Sequence, residues 1–116
     1  MKKFKNLKIW KEGINIVSNI YKLTSEFPDE EKFGLVSQLR RCSVSIPSNI
    51  AEGYGRNSDA DLSRFLNISR GSSYELETQL IISHELGYIS SKQLEMLSIK
   101  LDNLQGGITN FQKKLR

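Results

Sequence analysis

Gln38-Leu39-Arg40-Arg41-Cys42-Ser43-Val44-Ser45-Ile46-Pro47-Ser48-Asn49-Ile50-Ala51-Glu52-Gly53-Tyr54-Gly55-Arg56 is the stretch on which the reading of this chain turns. Leu35, Leu39, Cys42, Ile46 and Ile50 recur at helical spacing and form one apolar stripe, as in a packed helix. Pro47 stands among them. An interior proline loses one backbone hydrogen bond and crowds the carbonyl four residues back, at about 3 kcal/mol. A helix that keeps it is expected to kink there. Ser43, Ser45 and Ser48 are the candidates to re-satisfy the freed backbone groups. The polar row that a kink would re-aim is Gln38, Arg41, Ser45, Ser48, Asn49 and Glu52.

Towards the N-terminus, between Leu7 and Ser25, the residues Leu7, Trp10, Ile14, Val17 and Tyr21 share one side of a helix. Ile9, Gly13, Ile16, Ile20 and Leu23 lie beside them, so the apolar arc covers about 200 degrees, against the roughly 100 degrees of a one-sided helix. One face is expected to pack inside the fold and the surplus to meet another partner. The second helix is expected to start after Pro28 and Asp29, with Asp29, Glu30 and Glu31 at the positive end of its dipole, and to stop at Gly53 or Gly55.

Towards the C-terminus, Ser58 with Asp61 three residues on predicts the start of a third helix. Its core stripe is Leu62, Phe65, Leu66, Ser69, Ser73, Leu76 and Leu80, and Gly87 is its expected C-terminal cap. Ser90 with Gln93 forms a capping box for a fourth helix. There Leu94, Leu97, Leu101, Leu104, Ile108, Phe111 and Leu115 make a heptad seam, in which Gly106 and Gly107 mark a bend or a close contact. Short connections leave successive helices antiparallel. The expectation is a single all-α domain over residues 1–116, an up-down-up-down four-helix bundle with a proline-kinked second helix.

A chain of 116 residues can bury roughly two thirds of its unfolded surface around one core. The single Cys42 excludes an intramolecular disulfide and reads as a small buried hydrophobe in a reducing compartment. Met1-Lys2-Lys3-Phe4-Lys5 starts like a signal peptide, but the apolar run such a peptide needs does not follow. No segment reaches the roughly 18 apolar residues of a membrane span. A cytoplasmic protein without a membrane partner is expected.

Enzymatic chemistry finds little to stand on. His84 is the only histidine, so the paired Glu-x-x-His ligand sets of a di-iron bundle cannot be made. Gly53-Tyr54-Gly55 lacks the Lys-Ser or Lys-Thr ending of a phosphate loop and follows a helix, not a strand. No catalytic residue, cofactor or metal is expected. Tyr54, Tyr74 and Tyr88 read as packing or interface aromatics.

The net charge of +4 hides a polarised distribution. Antiparallel packing gathers Lys2, Lys3, Lys5, Lys8, Lys11, Arg56, Lys113, Lys114 and Arg116 at one end. Glu26, Asp29, Glu30, Glu31 and Glu85 gather at the other, with Lys32 and Lys92 as exceptions. Lysines at the start of the first helix oppose its dipole, so helix stability does not account for them. The basic pole is the candidate nucleic-acid-binding site, contacting RNA or DNA through backbone phosphates with weak sequence specificity. The competing reading is a protein–protein interaction scaffold whose basic pole aids solubility.

Arg40 and Arg41 are adjacent on a helix and point about 100 degrees apart, so they cannot act as one clamp. Together with Pro47, Asn49, Glu52 and Arg70 they are assigned structural or interface roles. An ion pair between Arg41 or Arg56 and a carboxylate such as Glu52 is favoured over a phosphate contact.

Phe4-Lys5-Asn6-Leu7-Lys8-Ile9-Trp10, Gln38-Leu39-Arg40-Arg41, Ser45 to Gly53, and Arg64-Phe65-Leu66 with Arg70-Gly71-Ser72 resemble the bacterial 23S rRNA intervening-sequence protein family, also called four helix bundle proteins. The resemblance covers nearly the whole chain. It implies a homopentameric barrel of bundles without established enzymatic activity. It also implies kinship with the accessory variability determinant of diversity-generating retroelements, a basic pentamer that binds nucleic acid and a reverse transcriptase. Cys42 stands where the family usually has alanine after the paired arginines, and Gly13 replaces another alanine. Both exchanges are small for small.

Overall fold

The computed structural model describes residues 3–115. Its four helices are α1 (Lys8–Thr24), α2 (Leu35–Tyr54), α3 (Asp59–Glu85) and α4 (Ser91–Lys113), and there is no strand among the described residues. Phe4–Asn6 and Asp29–Glu31 form short 3-10 turns.

The boundaries follow local chemistry. Ser58 Oγ accepts from the Asp61 amide at 3.1 Å and opens α3. At the start of α4 the capping box is complete: the Gln93 amide donates to Ser90 Oγ at 3.1 Å and the Ser90 amide to Gln93 Oε1 at 2.9 Å. Gly87 ends α3 with φ +84°, a left-handed conformation that glycine adopts without strain. The Tyr88 amide then donates to the Ser83 carbonyl at 2.9 Å and the Gly87 amide to that of His84 at 3.0 Å, a Schellman closure.

The expected start of α2 needs correction. Pro28 leads into the separate 3-10 turn Asp29–Glu31, and the α-helix begins only at Leu35. Glu31 still serves the helix: its Oε1 accepts from the Leu35 amide at 3.1 Å. The acid therefore caps the positive end of α2 from outside instead of lying in its first turn.

Cross-helix contacts fix the directions. Gln38 meets Gln79, Cys42 meets Ser72 and Ile46 meets Ser69, so α2 and α3 run antiparallel. Glu77 with Gln105 and Arg70 with Thr109 do the same for α3 and α4, and Asn15 with Lys100 and Ile9 with Gly107 for α1 and α4. Each helix packs against its two neighbours in the order α1, α2, α3, α4 and back to α1, giving a rod of 44 × 23 × 20 Å. Ile16, Ile20, Leu39, Ile46, Ile50, Leu66, Leu76, Leu80, Leu101, Leu104 and Ile108 fill its axis.

The second helix continues through Pro47, which is buried and packs on Gly13 of α1. Two of the serines near it have other partners, and the third lies at the surface. Ser43 Oγ donates to the Arg40 carbonyl at 2.9 Å, Ser45 Oγ pairs with Ser72 Oγ at 2.9 Å, and Ser48 borders an apolar groove. At the far end of α2, Gly53 lets α3 come close: a Cβ there would lie 2.6 Å from Phe65 Cβ. Small residues do the same on α3, where Ser69 and Ser73 are fully buried and Ser69 Oγ donates to the Ile46 carbonyl at 2.9 Å.

Candidate nucleic-acid interface

The 3-10 turn Phe4–Asn6 is pinned by Phe4, whose ring sits edge-on to Trp10 at 5.3 Å. That turn carries Lys5, flanked by Lys3, and hands over to Lys8 and Lys11 on α1. Because α4 returns antiparallel beside α1, Lys114 reaches the same groove as Lys8. Lys3, Lys5, Lys8, Lys11, Lys113 and Lys114 are all exposed. None of them belongs to either ion pair seen here, Arg56 with Glu52 and Arg64 with Asp61. Lys2 and Arg116 lie outside the described residues.

Arg56 is placed differently from the lysines. Its Nη2 donates to Glu52 Oε2 at 3.0 Å, and its guanidinium lies 4.7 Å from the centre of the Phe65 ring. Arg64 covers the same ring from 4.8 Å. Glu52 is exposed and partly neutralises the arginine, so this corner supplies less free charge than the lysines. The favoured ion-pair reading of Arg56 and Glu52 is the one the geometry contains.

The remaining arginines part company. Arg40 donates from Nε to Thr24 Oγ1 at 2.9 Å and from Nη2 to the Tyr21 carbonyl at 3.4 Å, and stacks 4.5 Å above the Tyr21 ring. A guanidinium thus sits on the negative end of α1. Arg41 points elsewhere, into a groove between α2 and α3 shared with Gln38, Ser45, Ser72, Glu75 and Gln79. Asn49 Nδ2 donates to the Ser45 carbonyl and hydroxyl at 2.8 and 2.9 Å. Arg70 cross-links α3 to α4 through Thr109 Oγ1 and Gln112 Oε1, both at 3.0 Å, and also holds Asn67 Oδ1 at 3.1 Å.

Cys42 is buried and its thiol donates to the Ser72 carbonyl at 3.0 Å. Burial, with Glu75 nearby, pushes it up to about 12. It is a packing residue and not a nucleophile. At the acidic end Tyr88 Oη donates to Glu31 Oε2 at 2.9 Å, and this hydrogen bond is the first cause of a raised phenol pKa.

Sequence reasoning missed Lys100. It lines a groove with Lys8 and Lys11, and its Nζ donates to Asn15 Oδ1 at 2.9 Å, a neutral partner that leaves its charge available. The signal was present in principle, since antiparallel closure of α4 on α1 sets residue 100 opposite residue 15. Among the described residues no helix is long and apolar enough to cross a membrane.

The class of molecule these features define is a four-helix rod, basic at one end and acidic at the other. The family model for the 23S rRNA-intervening sequence protein matches residues 5–110, and this chain belongs to that family. A crystal structure of a protein of unknown function from the S23 ribosomal protein family of Bacteroides thetaiotaomicron has the same fold, with a TM-score of 0.84 and 24% identity. The match covers 91% of this chain and 96% of that one. No curated protein matches.

Proposed function

We propose that this protein is a non-enzymatic homo-oligomer, a pentamer as the family resemblance implies, whose basic pole binds the phosphate backbone of RNA or DNA. The observation that carries this reading is a set of exposed lysines, Lys3, Lys5, Lys8, Lys11, Lys113 and Lys114, gathered at one end of the rod outside the ion pairs seen there. Lysine clusters of this kind attract phosphates and release counterions. A bend of α2 at Pro47 belongs to the same proposal, since it would set the angle of the α2 polar row.

Association rests on two surfaces. Trp10, Ile14, Val17, Val44, Pro47, Ser48 and Ala51 line an apolar groove between α1 and α2, and Ile14 and Val44 are 44% and 39% exposed. Between α2 and α3, buried Gln79 Oε1 has no hydrogen-bond partner among the described residues. A donor from a neighbouring subunit would satisfy it.

The test is salt-dependent retention of RNA or DNA by the purified protein. Contact with about four to six phosphates of a single strand gives log K against log salt a slope of about −3 to −4. No retention at low ionic strength refutes the nucleic-acid reading. The second reading, a scaffold that recruits another protein, is favoured by the apolar groove and by Phe33, which is 89% exposed. Exchanging Lys2, Lys3, Lys5, Lys113 and Lys114 for glutamine separates the two. Function lost from an intact assembly supports nucleic-acid binding, and function kept supports the scaffold.

A further inference from the structure

We propose that the trough between α1 and α4 seats a single nucleic-acid strand, with its phosphates on the lysine rim and its bases on the floor. The inference rests on the nucleic-acid reading above and goes beyond it by naming the site, the strandedness and a base preference. The trough has a main cavity of about 730 Å³. A smaller one of about 280 Å³ continues it along α1, sharing Lys8, Glu12 and Asn103.

Its lining divides by chemistry. Lys114 and Lys8 stand at the pole, and Lys11 and Lys100 extend the positive charge along the rod. The floor offers half-buried Leu7 and Phe111, an apolar and aromatic surface on which a base can stack. Exposed Asn103 and Asn110 each present a donor and an acceptor, the combination that reads base edges.

Glu12 and Asp102 also line the cavity. They repel phosphate but accept hydrogen bonds from amino-bearing base edges, as carboxylates do from cytosine N4. The strand is thereby oriented, with backbone to lysine and base edge to carboxylate. Cytosine, adenine and guanine, which carry exocyclic amino groups, should bind better than uracil or thymine. A duplex does not suit the site, because its bases are paired and stacked inside the helix and cannot lay a face or a free edge on the trough floor without being unpaired.

Gly106 gives the handle for a test. A Cβ added there meets nothing within 4 Å, and the residue lines the trough. Gly106→Leu fills the cavity while favouring the helix, so the variant should fold, which circular dichroism checks. Fluorescence anisotropy at low salt would use labelled single strands of oligo-rC, oligo-dC and oligo-rU, about 12 nucleotides long, and a duplex of the same length. The expected results are at least tenfold tighter binding of rC than of duplex, weaker binding of rU than of rC, and a tenfold or greater loss of rC binding in Gly106→Leu. The dC arm separates DNA from RNA: binding equal to rC assigns the site to either strand, and a large deficit assigns it to RNA. Equal binding of rC and rU overturns the base-edge assignment. Unchanged rC binding by Gly106→Leu overturns the trough, while salt-dependent binding by the wild type keeps the basic pole. If the wild type binds no nucleic acid, the underlying reading fails with it.

Discussion

Cys42 and Gly53 show how differently two small residues on one helix are constrained. The Cys42 thiol is buried and raised to about 12, so it stays neutral throughout the physiological range. Folded protein should resist a thiol-specific reagent at pH 8 and label fully only in denaturant; rapid labelling of the folded form would contradict this. Its burial was legible because it lies on the stripe with Leu39 and Ile46. Its contact with Ser72 was not, since the α2–α3 register is set by the packing of the two helices. The exit of α2 read as Gly53 or Gly55; Gly55 caps the helix, while Gly53 lies inside it where α3 comes closest. Gly53→Ala should lower stability by about 1–3 kcal/mol, read as a reduced urea midpoint with unchanged slope.

At the scale of elements, the caps of α3 and α4 follow from their sequence signatures. Ser58, Ser90 with Gln93, and Gly87 act within a few residues, so a local reading suffices. The start of α2 did not follow from composition alone, because Glu31 caps it across the intervening turn. Glu31 also accepts from Tyr88, joining the α1–α2 connection to the α3–α4 connection. Because the folded state raises the Tyr88 pKa, it favours the protonated phenol. The stabilisation is present below the ordinary tyrosine value of about 10 and is lost as pH rises through the higher folded value. Tyr88→Phe should therefore lower stability at neutral pH and matter less under strongly alkaline conditions. Denaturation of both proteins at the two pH values checks the sign.

For the whole molecule, the wide apolar arc of α1 is partly covered by α2, but Ile14 and Tyr21 remain 44% and 42% exposed. With Val44 they make the face on which the proposed oligomer would close. Ile14→Glu combined with Val44→Glu should leave the helical content intact and shift the mass by light scattering from a multiple of 13.3 kDa to the single chain. A wild-type protein that scatters as one chain would remove the basis for the oligomer. The charge separation also belongs to this scale. It arises because antiparallel packing sets the start of α1 and the end of α4 beside the α2–α3 turn.

The primary structure by itself determined the helices, most of their ends, the apolar stripes and the antiparallel order. Those depend on periodicity, capping and loop length, all of which act over a few residues. Only the tertiary structure decided that Arg40 holds the end of α1, that Arg70 ties α3 to α4, and that α1 and α4 enclose a trough reaching Lys100. These depend on which side chains meet across helices, and that is set by the rotation and depth at which the four apolar faces pack.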